Sequence, residues 1–206
     1  MHRGFTFPNG VNQSKNCMNC NECLWPWNHM YYNVDGVYPC CKLASSPVWK
    51  LGETTASVSE LWNSEKMRGL RKQFMAGQPP AECRELCLDT PNPFNIHLPI
   101  NTTGKIRQFY KETGNDGSFK ENFVIFNVAT SNLCNFKCAY CSATYSSRIA
   151  EDSYINEMFN QPPIRPGVRH AFKDKEQALK LFVEQLPHLQ KLSFITGTIY
   201  QILIRM

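Results

Sequence analysis

Residues 123–142 read "FVIFNVATSNLCNFKCAYCS". The segment from Phe123 to Ala129 is a nearly unbroken apolar run, the pattern of a strand buried on both faces of a parallel sheet. The loop after it carries Cys134, Cys138 and Cys141 in a CxxxCxxC spacing. A thiolate-rich loop suits a soft metal centre, either zinc or an iron–sulfur cluster. Structural zinc takes four ligands in a closed tetrahedron, and four cysteines fill a [4Fe–4S] cube. Three thiolates on one loop leave two arrangements: a fourth ligand comes from afar, or one metal position stays open for chemistry. The spacing favours the open cluster over half of a zinc site. The loop also sits at the carboxyl end of a strand, where α/β folds hold their ligands.

Downstream, "DKEQALKLFVEQLP" (174–187) reads as a helix with Asp174 as its cap, Leu179, Phe182, Val183 and Leu186 as its apolar face and Pro187 as its end. "KLSFI" (191–195) reads as a second strand, which completes a βαβ unit. Upstream, "SVSELWNSEKMRGLRKQFMAGQPP" (57–80) fits a short amphipathic helix. Ser57 and Glu60 form its capping box, Met67, Leu70 and Phe74 share a face, and Gly77 and Pro79-Pro80 close it. Residues 88–121 are rich in Pro, Asn, Thr and Gly and read as loop or linker.

Hydrophobic residues at 42%, charged residues at 19% and a net charge of +5 describe an ordinary soluble protein. With no Lys/Arg run, that mild charge argues against nucleic acid as a partner. The start "MHRGFTFPNG" lacks the apolar stretch of a signal peptide, and no run approaches the roughly 18 apolar residues of a membrane span. A cytoplasmic location with no membrane partner is the expectation. In that reducing setting, the ten cysteines point to metal or redox work rather than disulfides. They fall in three groups: Cys17, Cys20, Cys23, Cys40 and Cys41; then Cys83 and Cys87; then the triplet.

"CNFKCAYC", with Tyr140 before the third cysteine and a strand just upstream, resembles the signature of the radical S-adenosylmethionine (SAM) superfamily. The resemblance implies that Cys134, Cys138 and Cys141 hold a [4Fe–4S] cluster whose fourth iron is chelated by SAM. One electron, from a donor such as flavodoxin or ferredoxin, then cleaves SAM to a 5′-deoxyadenosyl radical that abstracts hydrogen from substrate. It places Tyr140 beside the adenine. It also puts Gly197, in "FITGTIYQILIRM", at one glycine of the loop that grips the methionyl amino group; the rest of that loop's motif is absent.

The N-terminal cysteines have a resemblance of their own. Cys23, Gly36 and Cys41 are followed by "LWNSEKMRGLR" and then by Cys83 and Cys87, and this order is similar to the SPASM/Twitch auxiliary-cluster module. That likeness implies a second [4Fe–4S] cluster on Cys23, Cys41, Cys83 and Cys87, with Cys40 competing for the place of Cys41. "VDGV" supplies the hairpin turn, with Gly36 tolerating positive φ. The Cys83/Cys87 pair is CxxxC where CxxC is commoner, and Cys17 and Cys20 lie outside the pattern. The module also precedes the triplet instead of following it, an order found in phage-type and environmental Twitch-domain relatives. His29 reads as a packed histidine rather than a ligand, and Trp25, Trp27 and Trp62 as the module's small core.

The expected fold class is therefore α/β: the start of a partial (β/α)6 radical SAM barrel, preceded by a small α+β cysteine-rich module. The expected divisions are 1–90 for the module, 91–120 for a linker and 121–206 for an incomplete radical SAM domain. A full barrel needs on the order of 200 residues at roughly 30 per βα unit, so the reading takes the chain as truncated or frameshifted near Thr196. A peptide is the substrate class that the resemblance implies. Two other readings stand beside it: a zinc-stabilised cysteine-rich binding module, and a cluster-binding fragment without activity.

Overall fold

The computed structural model describes residues 23–88, 102–134, 137, 141, 144–158 and 167–194. Cys17, Cys20, Cys138, Tyr140 and Gly197 lie outside the described residues. Helix α1 (Trp25–Asn28) leads into β1 (His29–Asn33), which turns back into β2 (Gly36–Tyr38). The pairing is antiparallel, with Tyr31 opposite Tyr38 and Asn33 opposite Gly36. Gly36 has φ +134°, and a Cβ there would stand 2.7 Å from the Gly52 carbonyl oxygen, so the turn requires glycine.

Next come α2 (Val58–Trp62) and α3 (Glu65–Met75), then a short turn α4 (Ala81–Cys83) that runs on as a π-helical turn over Arg84–Leu88. The single helix expected over 57–77 is broken at Asn63. Each half has its own serine cap: Ser57 Oγ accepts from Glu60 N–H and Ser64 Oγ from Met67 N–H. The break has a local cause. Asn63 Oδ1 accepts from Phe119 N–H and Arg71 Nη1, while its Nδ2 donates to Phe119 O, which fixes the residue outside helical geometry. Met67, Leu70 and Phe74 form the buried face as expected. Gly77, at φ +69°, ends α3 with N–H bonds from Gly77 to Phe74 O and from Gln78 to Gln73 O, a Schellman closure.

Residues Thr102–Glu112, read as linker from composition, form helix α5. Its apolar positions Ile106, Phe109 and Tyr110 recur at helical spacing, and all three join the core. Beyond it lie β3 (Ile125–Val128), α6 (Ser147–Ala150), α7 (Ser153–Met158), α8 (Lys175–Gln185) and β4 (Lys191–Phe194). Strand β3 pairs in parallel with β4, which gives the βαβ unit, and in parallel with β1 on its other side. The sheet order is β2-β1-β3-β4. Two parallel strands alone would leave an open edge; the hairpin of the cysteine-rich segment closes the edge of β3. The described residues thus form one open mixed sheet of four strands.

One face of that sheet, with Met30, Tyr32, Val37, Phe126, Val128 and Leu192, is the main core. Trp27 and Trp62 join it, whereas Trp25 is only half-buried and stacks against His29 at 4.0 Å between centroids. Helix α8 covers this face, capped by Asp174 Oδ1 accepting from Gln177 N–H at 2.8 Å. Its buried stripe is Ala178, Leu181, Phe182, Gln185 and Leu186, so Leu179 and Val183 are exposed, at 64% and 59%, contrary to the expected face. Leu181 and Gln185 take the innermost line, which turns Leu179 and Val183 a third of a turn or more away from the sheet. No helix among the described residues is long and apolar enough to cross a membrane.

Candidate metal centre

Three local structures bring five cysteines together. Cys23 precedes α1, Cys40 and Cys41 follow β2, and Cys83 and Cys87 lie on the turn that starts at Ala81. The hairpin delivers Cys40 and Cys41 and is fastened just before them. His29 is fully buried, and its Nδ1–H donates to Pro39 O at 2.8 Å. Burial pushes the His29 pKa down to about 3, so the ring is neutral, and its Nε2 meets no partner. The CxxxC spacing suits the helical turn, because residues four apart share one side of a helix.

The five thiols lie within electrostatic reach of one another. Cys87 acts on Cys23, Cys41 and Cys83, Cys23 also acts on Cys83, and Cys41, Cys23 and Cys83 act on Cys40. Burial pushes Cys23 and Cys83 up to about 12 and raises Cys40 well above the ordinary thiol value. Burial also raises Cys41 and Cys87, but there the Lys42 ammonium pulls the other way. Backbone N–H groups point at three sulfurs: Trp25 at Cys23, Leu43 at Cys40, and both Cys41 and Lys42 at Cys41. Among the described residues, no three His, Cys, Asp or Glu side chains converge on a point that one metal ion could occupy.

The second group follows β3. Cys134 is buried and Cys141 half-buried. Asn132, two residues before Cys134, is fully buried. Its Oδ1 accepts from Arg169 N–H at 2.6 Å, its Nδ2 donates to Gly167 O, and its carbonyl accepts from Ser147 N–H. Ser147 Oγ in turn donates to Cys134 O at 3.3 Å and lies 3.4 Å from Cys134 N. Lys137 pairs with Asp152, and Arg169 pairs with Asp35 of the hairpin turn. The loop start is thus held by hydrogen bonds to two later segments. Sequence reading missed Asn132 and Ser147, because nothing in "TSNLCN" or "YSSRIA" marks them.

Cys41 packs on the second face of the sheet. Tyr31, Tyr38 and Ala129 form a small cluster there, against which Cys41, Ala44 and Tyr145 pack. The Tyr31 and Tyr145 hydroxyls are 2.9 Å apart. Tyr145 lies within electrostatic reach of Cys41, Asp35 and Cys141.

This donor set fits a thiophilic centre: five sulfurs, an apolar surround and N–H groups aimed at sulfur. It also dictates how the metal-free chain responds to pH. Below the ordinary histidine value of 6.5 the unfolded chain takes up a proton that buried His29 refuses until about 3. Stability therefore falls with falling pH across that window, by about 1.4 kcal/mol per unit. At the alkaline end the unfolded thiols ionise near 9 while Cys23 and Cys83 keep their protons to about 12, so the folded chain binds more protons and loses stability as pH rises. Urea midpoints of the metal-free chain are expected to peak between these limits. The alkaline decline should vanish once metal has displaced the thiol protons. A flat profile from pH 4 to pH 11 would contradict the burial of these groups.

Comparison with known proteins adds one finding. The family model SPASM, an iron–sulfur cluster-binding domain, matches residues 23–88, about a third of the chain. The matched span opens at Cys23 and ends just past Cys87, so it holds all five gathered cysteines. It points to iron–sulfur binding by this segment. Neither the curated proteins nor the solved structures give a match to the chain.

Proposed function

We propose that this chain is a radical SAM protein with an auxiliary iron–sulfur module at its N-terminal side. The observation that carries the reading is the gathering of Cys23, Cys40, Cys41, Cys83 and Cys87 by the segment that matches an iron–sulfur cluster-binding domain. The CxxxCxxC loop after a parallel strand supports its second half.

Cys23, Cys41, Cys83 and Cys87 are the proposed ligands of the auxiliary [4Fe–4S] cluster. Cys41 is preferred to Cys40 because two backbone N–H groups and the Lys42 ammonium favour a thiolate there, whereas Cys40 is sealed in apolar surroundings that favour the neutral thiol. Cys134, Cys138 and Cys141 are the proposed ligands of the second [4Fe–4S] cluster. When bound, that cluster and SAM supply reductive cleavage to a 5′-deoxyadenosyl radical and hydrogen abstraction from substrate. Tyr140 is assigned to the adenine and Gly197 to the methionyl amino group. The chain's own work is to fix the loop through Asn132 and Ser147, to exclude water with the Tyr31–Tyr38–Ala129 cluster, and to take electrons from a flavodoxin- or ferredoxin-type donor. A peptide is the proposed substrate class and the cytoplasm the proposed compartment.

The test is the EPR spectrum of the anaerobically reconstituted, reduced chain with and without SAM. A SAM-dependent change that disappears in Cys138→Ser is the expected result. Clusters that ignore SAM would reduce the chain to an iron–sulfur protein without this chemistry.

A further inference from the structure

A cavity of about 490 Å³ lies between residues 54–62 and helix α8, and the described residues that line it include no cysteine. Its volume falls in the range of small-molecule sites, about 300–1,000 Å³. Trp62 and Leu181 are its buried apolar walls. The Trp62 indole N–H is spent on Glu121 O at 2.7 Å, so the ring meets the cavity as hydrocarbon. Gln177 is spent as well: its Nε2 donates to Thr54 O at 3.1 Å and its Oε1 accepts from Lys173 N–H at 2.8 Å, which braces α8 against Thr54. The Ser57 and Ser59 hydroxyls bond each other at 2.7 Å.

Three lining groups of α8 are not spent in this way. Gln185 is only 8% exposed, and its Oε1 accepts no hydrogen bond. A buried acceptor without a donor costs stability and calls for an explanation. Lys180 and Glu184 are exposed, and neither enters an ion pair among the described residues. They sit four residues apart on one helix, so a positive and a negative group stand side by side, with about 5–6 Å between Cβ atoms.

We infer that this cavity binds a small zwitterion with an apolar side chain, an α-amino acid or a short peptide. Lys180 takes the carboxylate and Glu184 the ammonium, both in charge-assisted hydrogen bonds. Gln185 Oε1 accepts a further N–H, and the apolar side chain lies against Trp62 and Leu181. A simple cation or anion would meet attraction from one of the two charges and repulsion from the other; a zwitterion satisfies both. The site stands apart from the cluster reading. Its ligand touches both residues 54–62 and α8, so binding also stabilises the folded chain.

The experiment is isothermal titration calorimetry of the full chain with L-leucine and L-leucylglycine, each also tested with its amino group acetylated or its carboxyl group amidated. A zwitterion is expected to bind, and either blocked form to bind about tenfold more weakly or worse. Whichever zwitterion binds tighter identifies the source as a free amino acid or a peptide. Lys180→Met should erase the discrimination against the amide, and Glu184→Gln that against the acetyl derivative; both positions are exposed, so the fold tolerates the changes. Gln185→Leu should weaken binding about tenfold while the urea midpoint stays the same or rises, because the variant removes an unmet buried acceptor. Blocked forms that bind as well as the zwitterion would overturn the inference. So would the absence of both binding heat and a raised urea midpoint with either zwitterion at millimolar concentration. Neither result touches the iron–sulfur reading.

Discussion

Cys83→Ser is expected to halve the iron held by the reconstituted chain, from about eight irons to about four, because each [4Fe–4S] cube requires its full set of protein ligands. Cys83 lies within electrostatic reach of Cys23, Cys87 and Cys40. A serine there offers a hard oxygen where soft thiolate is required. The remaining iron should keep its response to SAM, and Cys138→Ser should show the converse loss. The vicinal pair gives a sharper version of the test. Cys41→Ser should lower iron as Cys83→Ser does, while Cys40→Ser should leave it near the wild-type value. Full iron content in Cys83→Ser would remove the N-terminal centre from the account, and an inverted result at the vicinal pair would transfer the ligand role to Cys40.

Arg71→Met is expected to have the largest effect on stability, a loss of about 3–5 kcal/mol, from leaving several buried oxygen acceptors without their donor. Arg71 is fully buried. Its guanidinium donates to Pro26 O at 2.9 Å, Trp62 O at 3.0 Å, Asn63 Oδ1 at 3.0 Å and Gly117 O at 3.3 Å. Three of these oxygens are backbone carbonyls from three different segments, so one side chain ties α1, the α2–α3 junction and the loop after α5 together. It lies over the Trp62 ring at 4.5 Å, where the ring's negative face meets the cation. Burial lowers the Arg71 pKa to about 9 and adds a cost to keeping the charge, but the four acceptors hold it. Methionine fills much of the volume and leaves those acceptors unmet, at roughly 1–3 kcal/mol for each that water does not reach. Lysine should not restore stability, since a single ammonium cannot span the fork of acceptors. Urea unfolding gives the answer: a lowered midpoint at unchanged slope is expected. A loss below about 1 kcal/mol would show that the three segments are held together by apolar packing alone.

What could be read from sequence was local. The apolar run ending at Ala129, the Asp174 and Ser57 caps, Gly36 in the hairpin turn and the cysteine spacings each declare themselves within a few residues. The parallel pairing of β3 with β4 followed from the helix between them. The pairing of β1 with β3 did not, because "HMYYN" is buried at every position and has no alternation to name its partner or face. Helix α5 was hidden by the Thr and Gly of "TTGKIRQFYKE", whose stripe of Ile106, Phe109 and Tyr110 is short. On α8 the apolar residues outnumber the positions the sheet can cover. Which of them face inward was settled by the neighbouring Phe172 and Phe194, both packed against Phe182. At the site, the cysteine groups were visible, but the Tyr31–Tyr145 contact beside Cys41 was not. A hydrogen bond across 114 positions leaves no mark in a single sequence.

The central claim is that the residues from Cys23 to Leu88 hold an iron–sulfur cluster. Its most direct test is the metal and acid-labile sulfide content of the anaerobically purified and reconstituted chain. The account predicts about eight irons and eight sulfides per wild-type chain, falling to about four of each in Cys138→Ser, with those four assigned to the N-terminal residues. One tightly held zinc per chain and no sulfide in Cys138→Ser would contradict it, and would make the N-terminal cysteines a structural zinc site instead.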